Sequence, residues 1–219
     1  MKRALLVLGC VTLAALGNPG RAFGQLIGMP VWNSPKDGTG LTIAADFGSP
    51  DSVGGKGSAY AGRAVLGLSP LTVSATIGAR NPEAGANITQ YGGTAALRLI
   101  GGSLVPVSVN VQSGIATFRQ SSVRTIRGTA ALGFAIEVPL PGMSVEPWVA
   151  PGLRVTHTGA AGSSGAHTDT RFGVAGGLTI SVGMLGLHAA IDYESVAGGR
   201  HSTILGIGAQ FAIGSSFEL

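Results

Sequence analysis

Ten residues near the C-terminus read LGLHAAIDYE (185–194) and alternate between large apolar side chains and small or polar ones. The large apolar side chains share one parity: Leu185, Leu187, Ile191 and Tyr193. The polar side chains share the other parity: His188, Asp192 and Glu194. A period of two indicates a β-strand, because successive side chains of a strand point to opposite faces. The stretch therefore predicts a strand with one apolar and one polar face.

The same alternation recurs from Leu41 onward and predicts ten strands. They are 41–48, 58–68, 71–80, 90–100, 104–117, 125–138, 144–157, 170–182, 185–194 and 203–213. Tight turns such as Ser69-Pro70 alternate with longer connections rich in turn-forming residues. The longer connections are 49–57, 81–89, 118–124, 158–169 and 195–202. Tight turns at one end and longer loops at the other are typical of an antiparallel up-and-down barrel. Eight strands are the main alternative.

Charged residues within these strands all fall opposite the bulky apolar side chains, which alone set the phase of each strand. A charge that faces lipid near the bilayer midplane costs about 2–4 kcal/mol, so a lipid-facing wall should exclude charges. The residues predicted to line the lumen are Asp46, Arg63, Arg80, Arg98, Arg127, Glu137, Glu146, Arg154, Arg171, His188, Asp192 and Glu194. We expect these charges to pair and to plug a narrow lumen, because buried charges must be matched.

A soluble sandwich would alternate in the same way, so the apolar face needs separate evidence. The opposite face is dominated by Gly, Ala, Ser and Thr, which suit a crowded lumen better than a water-exposed surface. Five aromatic residues lie on the apolar face near the long-loop end of their strands: Phe47, Tyr60, Tyr91, Phe172 and Tyr193. Such a girdle is typical of the lipid–water interface. We therefore predict an all-β, closed, transmembrane barrel of ten strands.

The alternation continues to the last residue, with Phe211, Ile213, Phe217 and Leu219 on one parity. These residues resemble the C-terminal assembly signal of Gram-negative outer-membrane β-barrel proteins, with Leu219 in place of the final aromatic residue that the signal favours. The resemblance covers a signal peptide and residues 41–219. It implies location in the outer membrane, passage through the periplasm, insertion by the barrel assembly machinery, and contact with outer-membrane lipid and lipopolysaccharide. It does not imply an activity, because small barrels of this kind include adhesins, channels, structural proteins and enzymes.

The first 24 residues have the pattern of a secretory signal peptide. Two basic residues precede an apolar core of 13 residues, and Ala22-Phe23-Gly24 has the form of a cleavage site. The core is too short to span a bilayer as a helix. Cys10, the only cysteine, would be removed with the signal. The predicted organisation is a signal peptide at 1–24, an irregular segment at 25–40 that lies in the lumen or in the periplasm, and a barrel at 41–219.

Composition argues against several classes of function. The formal net charge is +4, but three basic residues lie in the predicted signal peptide and no cluster of Lys or Arg indicates a nucleic-acid site. Four scattered histidines without cysteine give no zinc-ligand spacing. His188 and Asp192 share the lumen face, but four residues along a strand separate them by about 13 Å. We predict no metal, no cofactor, no nucleic acid and no catalytic residues, and hence no enzyme.

The preferred function is that of a monomeric outer-membrane barrel with a structural or surface-interaction role and a largely plugged lumen. A narrow porin-like channel for small polar solutes is the first alternative, and the near-balance of lumen charges argues against strong ion selectivity. A soluble periplasmic β-barrel that binds an apolar ligand is the second alternative. An outer-membrane hydrolase is the least favoured.

Overall fold

The computed structural model describes residues 25–32, 39–102, 105–120, 123–160, 165–196 and 198–213. The regular structure of these residues consists of β-strands: β1 (Thr39–Pro50), β2 (Gly57–Leu68), β3 (Leu71–Pro82), β4 (Ile88–Gly102), β5 (Val105–Gln120), β6 (Val123–Ile136), β7 (Val138–Leu140), β8 (Met143–Thr158), β9 (His167–Val182), β10 (Leu185–Val196) and β11 (Arg200–Ile213). Strands β6 and β7 are two parts of one barrel strand that is interrupted at Glu137. No described helix is long and apolar enough to cross a bilayer.

The sheet closes on itself. Neighbours in the chain pair antiparallel all the way round, with β6 pairing directly with β8, and β1 pairs with β11 from Leu41↔Ile213 to Pro50↔Ile204. Closure leaves no unpaired strand edge, which is the condition for a sheet to lie in lipid. The prediction of a closed, antiparallel, ten-strand barrel is confirmed.

The strands extend further at the long-loop end than the sequence predicts. The predicted connection 118–124 is wrong, because β5 continues to Gln120 and pairs in register with β6 from Val123 onward. The predicted connection 81–89 likewise shrinks to 83–87. Beyond the hydrocarbon core neither face of a strand meets lipid acyl chains, so the apolar alternation stops while the backbone hydrogen bonds of the ladder continue.

Pro151 lies within β8, opposite Val174 of β9. Two β6–β8 pairs are missing at this height, but the register on either side of the gap is the same, so no residue is inserted. Proline has no backbone N–H to give to the ladder, which explains the gap toward β6. A bulge occurs instead in β4, where the register shifts after Arg98 and both Leu99 and Ile100 face outward.

The outer face of the barrel is an apolar band. Each of the ten barrel strands contributes at least one large exposed apolar side chain: Ile43, Tyr60, Ile77, Leu99, Val105, Ile136, Leu153, Phe172, Leu187 and Ile207. On β10 the band runs from Leu185 to Tyr193, eight residue steps, which span about 20 Å for a strand tilted by about 40°. That height suits the hydrocarbon core of an outer membrane. The predicted lipid-facing wall is confirmed, and the alternative of a water-soluble barrel does not fit this surface.

Aromatic side chains border the band at its long-loop end. The five residues of the predicted girdle lie on the outer face, and Phe47 is less exposed than the others because its ring packs on Tyr60, with ring centroids 5.2 Å apart. Phe211 and Ile213 also face outward, near the short-turn end. The rest of the predicted assembly signal, Phe217 and Leu219, lies outside the described residues, as does the predicted signal peptide.

Candidate functional site: the occupied lumen

Residues 25–32 lie inside the barrel and are called here the plug. Met29 and Pro30 are almost fully buried, and Leu26 and Val31 are also buried. The sequence left the position of this segment open between the lumen and the periplasm, and the structure places these eight residues in the lumen. The chain enters β1 at Thr39, so the plug is joined to the barrel wall at the short-turn end.

Gln25 connects two separate strands of the wall. Its Nε2 donates a hydrogen bond to Oδ2 of Asp192 on β10, at 2.7 Å, and another to the carbonyl oxygen of Met29. Its Oε1 accepts a hydrogen bond from Nη2 of Arg127 on β6, at 3.4 Å. A carboxamide can make both contacts because it carries donors and an acceptor.

The backbone of the plug is hydrogen-bonded to side chains of the wall. The amide of Ile27 donates to Oε1 of Gln90 at 2.7 Å, and Nε2 of Gln90 donates to the carbonyl oxygen of Ile27 at 2.9 Å. The amide of Val31 donates to Asp192, and Arg63 donates to the carbonyl oxygen of Trp32, both at 3.3 Å. Buried backbone groups need such partners, so the wall is complementary to the plug.

Glycines on the inner face make room for the plug. A Cβ atom at Gly48 would overlap the carbonyl oxygen of Gly28. A Cβ atom at Gly206 would lie 2.6 Å from Cγ of Pro30, closer than real Cβ contacts. The small residues that the sequence places on this face therefore accommodate a packed segment of chain.

We expect Gly48→Ala to displace the plug, because the added methyl group meets rigid backbone rather than a side chain that can move. Overpacking of this kind costs about 1–3 kcal/mol, so the expected result is faster protease cleavage of the plug in the folded barrel. Gly62→Ala is the matched control, since a Cβ there meets nothing within 4 Å. Equal cleavage rates in the two variants would contradict the packing described here.

Lumen charges pair across strands. Nε of Arg63 lies 3.1 Å from Oδ2 of Asp46, and Nη2 of the fully buried Arg154 lies 3.3 Å from Oδ1 of Asp192. Glu194 pairs with Arg127, and Nη1 of Arg171 lies 3.5 Å from Oε1 of the same carboxylate. Matching of this kind is what allows charges to remain in a low-dielectric interior.

His188 is bonded to Asp46, another predicted lumen residue, in a pairing that the sequence did not indicate. Its Nε2 lies 2.7 Å from Oδ1 of Asp46, and its ring meets Trp32 edge-on with centroids 4.6 Å apart. Asp46 on β1 and His188 on β10 both pair in register with Gly208 of β11, which lies between them. Glycine has no side chain to separate them, so the pair forms across the intervening strand.

The catalytic geometry of a hydrolase is not formed among the described residues. His157 bonds Thr168 through Nδ1, at 2.8 Å, and His201 stacks on Tyr193. No described serine hydroxyl is hydrogen-bonded to a histidine, so a serine–histidine pair is not formed in this part of the chain. The described residues also contain no group of three metal-ligating side chains. The expected absence of catalysis, metal and cofactor stays a prediction.

Comparison with known proteins finds similarity of fold. No family model and no curated protein matches the chain. Among solved structures, Neisserial surface protein A matches with 14% identity over 81% of this chain and all of that chain, with a TM-score of 0.38. The N-terminal β-barrel domain of Pseudomonas aeruginosa OprF matches with 15% identity over 80% of this chain and all of that chain, with a TM-score of 0.37. The β domain of the Bordetella autotransporter BrkA matches with 13% identity over 81% of this chain and 100% of that chain, with a TM-score of 0.47.

The chain has the fold of an outer-membrane β-barrel. Other matched structures include the KdgM porin and the outer membrane enzyme PagL. A fold alone does not determine activity, which must be argued from the site. The closed sheet and its apolar band locate the protein in the outer membrane, the bacterial membrane that holds such barrels.

The remaining predicted lumen residues of this outer-membrane barrel lie nearer its two ends. Arg80 donates to the carbonyl oxygens of Gly54 and Gly55 in the β1–β2 connection, both at 2.8 Å. Nη2 of Arg98 donates to Ser69 at the short-turn end. Glu137 and Glu146 also lie near that end, and each has an interaction partner.

Three uncharged polar side chains of β5 line the lumen in the half of that strand nearer the short-turn end. Ser108, Asn110 and Gln112 are exposed by 2% or less, and none has a hydrogen-bond partner among the described residues. Gln112 borders a cavity of about 40 Å³, which is large enough for a few water molecules. The alternation along 104–117 places all three side chains on the predicted lumen face, although only ionisable residues were named as predicted lumen-lining residues. The side chains of Ser108, Asn110 and Gln112 are the polar surface that a solute or water would meet in this part of the lumen.

Proposed function

We propose that the protein is an integral outer-membrane barrel that is closed by its own N-terminal segment and acts through its outer surface and loops. The observation that carries the proposal is the bonding of the plug to four barrel strands, through Arg63, Gln90, Arg127 and Asp192. Because the segment is hydrogen-bonded to strands at several positions around the ring, we expect it to block a water-filled path through the part of the lumen that it occupies.

The charge pairs support closure in a second way. Arg127, Arg154 and their carboxylates are buried, and they occupy the lumen at the level of the plug. A conducting pore instead lines a water-filled path with exposed polar groups. A structural or surface-interaction role, with no catalysis and with a monomer inserted by the barrel assembly machinery, agrees best with a lumen filled in this way.

A narrow channel for small polar solutes is the second candidate. The unpartnered column of Ser108, Asn110 and Gln112 favours it, because amides and hydroxyls that lack protein partners are suited to bind water or hydroxylated solutes. This function requires the plug to leave the lumen.

The wild-type barrel should fractionate with the outer membrane, show heat-modifiable migration on a gel, and exclude small sugars in a liposome-swelling assay. The physical reason for exclusion is the bonded plug. Swelling by sugars of graded size, at rates that depend on their size, would contradict closure and would favour the channel. Quantitative release of the protein by osmotic shock would contradict the membrane location.

A further inference from the structure

Two arginines stand side by side on the outer face at the long-loop end. Arg119 of β5 and Arg124 of β6 are directly opposite in the antiparallel register, and both are exposed. Directly opposite side chains have Cβ atoms about 5 Å apart, and like charges at that distance are destabilising. The wall therefore carries a local excess of positive charge that an anion would relieve.

The acidic residues that the structure describes are engaged elsewhere. Asp46, Asp192 and Glu194 pair within the lumen, Glu83 pairs with Lys56, and Asp169 pairs with Arg171. Asp51 accepts backbone hydrogen bonds from Gly54 and Thr203. Glu137 and Glu146 lie near the other end of the barrel. Within the described residues, no carboxylate is available to neutralise the pair.

The height of the pair matches the headgroups of the membrane. Tyr91 of the girdle is in register with Thr117 of β5, and Arg119 lies one outward position, or about 7 Å along the strand, beyond Thr117. Tyrosine side chains of a girdle mark the lipid–water interface. The guanidinium groups therefore stand just above that interface, at the level of lipid phosphates rather than of hydrocarbon or bulk water.

One of the two guanidinium groups is already oriented. Nε of Arg124 donates to Oγ1 of Thr117 at 3.1 Å, and Oγ1 of Thr117 donates to the carbonyl oxygen of Thr125 at 3.3 Å. Because Nε is used in this way, the two terminal nitrogens of Arg124 remain free to donate. Two parallel N–H donors fit two oxygens of one phosphate, which is the strong bidentate geometry.

We propose that Arg119 and Arg124 bind the phosphate of a phosphorylated glycolipid in the outer leaflet, with Thr117 as the residue that positions Arg124. The inference rests on the outer-membrane location in the proposed function and is independent of closure by the plug. Beyond the general contact with lipopolysaccharide that the resemblance implies, it assigns a specific binding site to residues of β5 and β6.

The test measures binding of bisphosphorylated lipid A, and of the same lipid without phosphates, to the purified full-length barrel in detergent. We expect the wild type to prefer the phosphorylated form. Arg119→Gln with Arg124→Gln should weaken binding by about tenfold, and Arg119→Lys with Arg124→Lys should recover part of the loss. Thr117→Val should weaken binding by a few-fold without changing the unfolding midpoint. Arg200→Gln is the matched control, because Arg200 is exposed at the same end of the barrel but lies on β11, at least four strands away from either arginine.

Heat-modifiable migration of each variant shows that it is folded, so a loss of binding can be assigned to the side chains. Equal binding by the wild type and the folded double-glutamine variant would overturn the inference, as would equal binding of phosphorylated and dephosphorylated lipid A. Inorganic phosphate that binds with the same arginine dependence, and displaces lipid A at equal concentration, would overturn the assignment to a lipid. None of these results bears on closure of the lumen, which the swelling assay reads separately.

Discussion

Replacement of residues 25–32 by a Gly/Ser segment of the same length should convert the barrel from a closed to a conducting form. The substitution keeps the chain length but removes the side chains of Gln25, Met29 and Trp32, together with the fit of the segment to Gln90 and Asp192. We expect planar-bilayer current and sugar uptake to rise by on the order of tenfold or more, because a water-filled path replaces a packed one.

The matched control replaces 159–166, also eight residues, in the connection between β8 and β9. This variant should show no increase in planar-bilayer current or in sugar uptake over the wild type. If the plug variant is folded by heat-modifiable migration but passes no more sugar than the wild type, then the wall side chains alone close the lumen, and the role assigned to the plug is wrong.

Asp192→Ala should cause the largest loss of stability among single substitutions in the lumen. Asp192 accepts hydrogen bonds from Gln25 and Val31 and pairs with the fully buried Arg154. Removal of one partner of a buried ion pair leaves an uncompensated charge and costs about 3–5 kcal/mol. Nε and Nη1 of Arg154 have no hydrogen-bond partner among the described residues, so none of these residues already offers the arginine a second acceptor. Urea unfolding of the refolded barrel in lipid vesicles measures the change.

Two further variants separate the charge effect from a general loss of packing. Asp192→Leu combined with Arg154→Met removes both charges and should recover most of the stability, since apolar replacement of a buried pair is often neutral. Glu83→Gln breaks the exposed contact with Lys56, 3.7 Å long, and should leave the unfolding midpoint unchanged. A loss in the double variant as large as in Asp192→Ala would show that packing, not charge, sets the cost.

The fold could be predicted because the bilayer acts on every strand in the same way. Within the membrane one face of each strand meets hydrocarbon, so Leu187 and Ile191 must alternate with His188 and Asp192. The strand ends could not be predicted in this way. Phe118 is buried on the inner face of β5 beyond the predicted end of that strand, where the pairing with β6 continues without an apolar outer face.

The lumen was predictable in composition but not in its contacts. Parity alone places Asp46 and His188 on the inner face, but their pairing depends on closure of β1 against β11, which brings together residues 142 positions apart. The plug was not predictable, because 25–32 has no period and its place depends on Gln90, 63 residues from Ile27. One available signal was the neutral amide of Gln90, which the alternation of 90–100 places on the lumen face.

The bonds of the plug also bear on the mechanics of the wall. They reach Arg63 on β2, Gln90 on β4, Arg127 on β6 and Asp192 on β10, which lie on different sides of the ring. A cylinder one sheet thick is easily flattened to an ellipse, and internal ties between opposing sides resist that deformation. We therefore expect the segment to resist flattening of the barrel cross-section, whether or not a solute passes through the lumen.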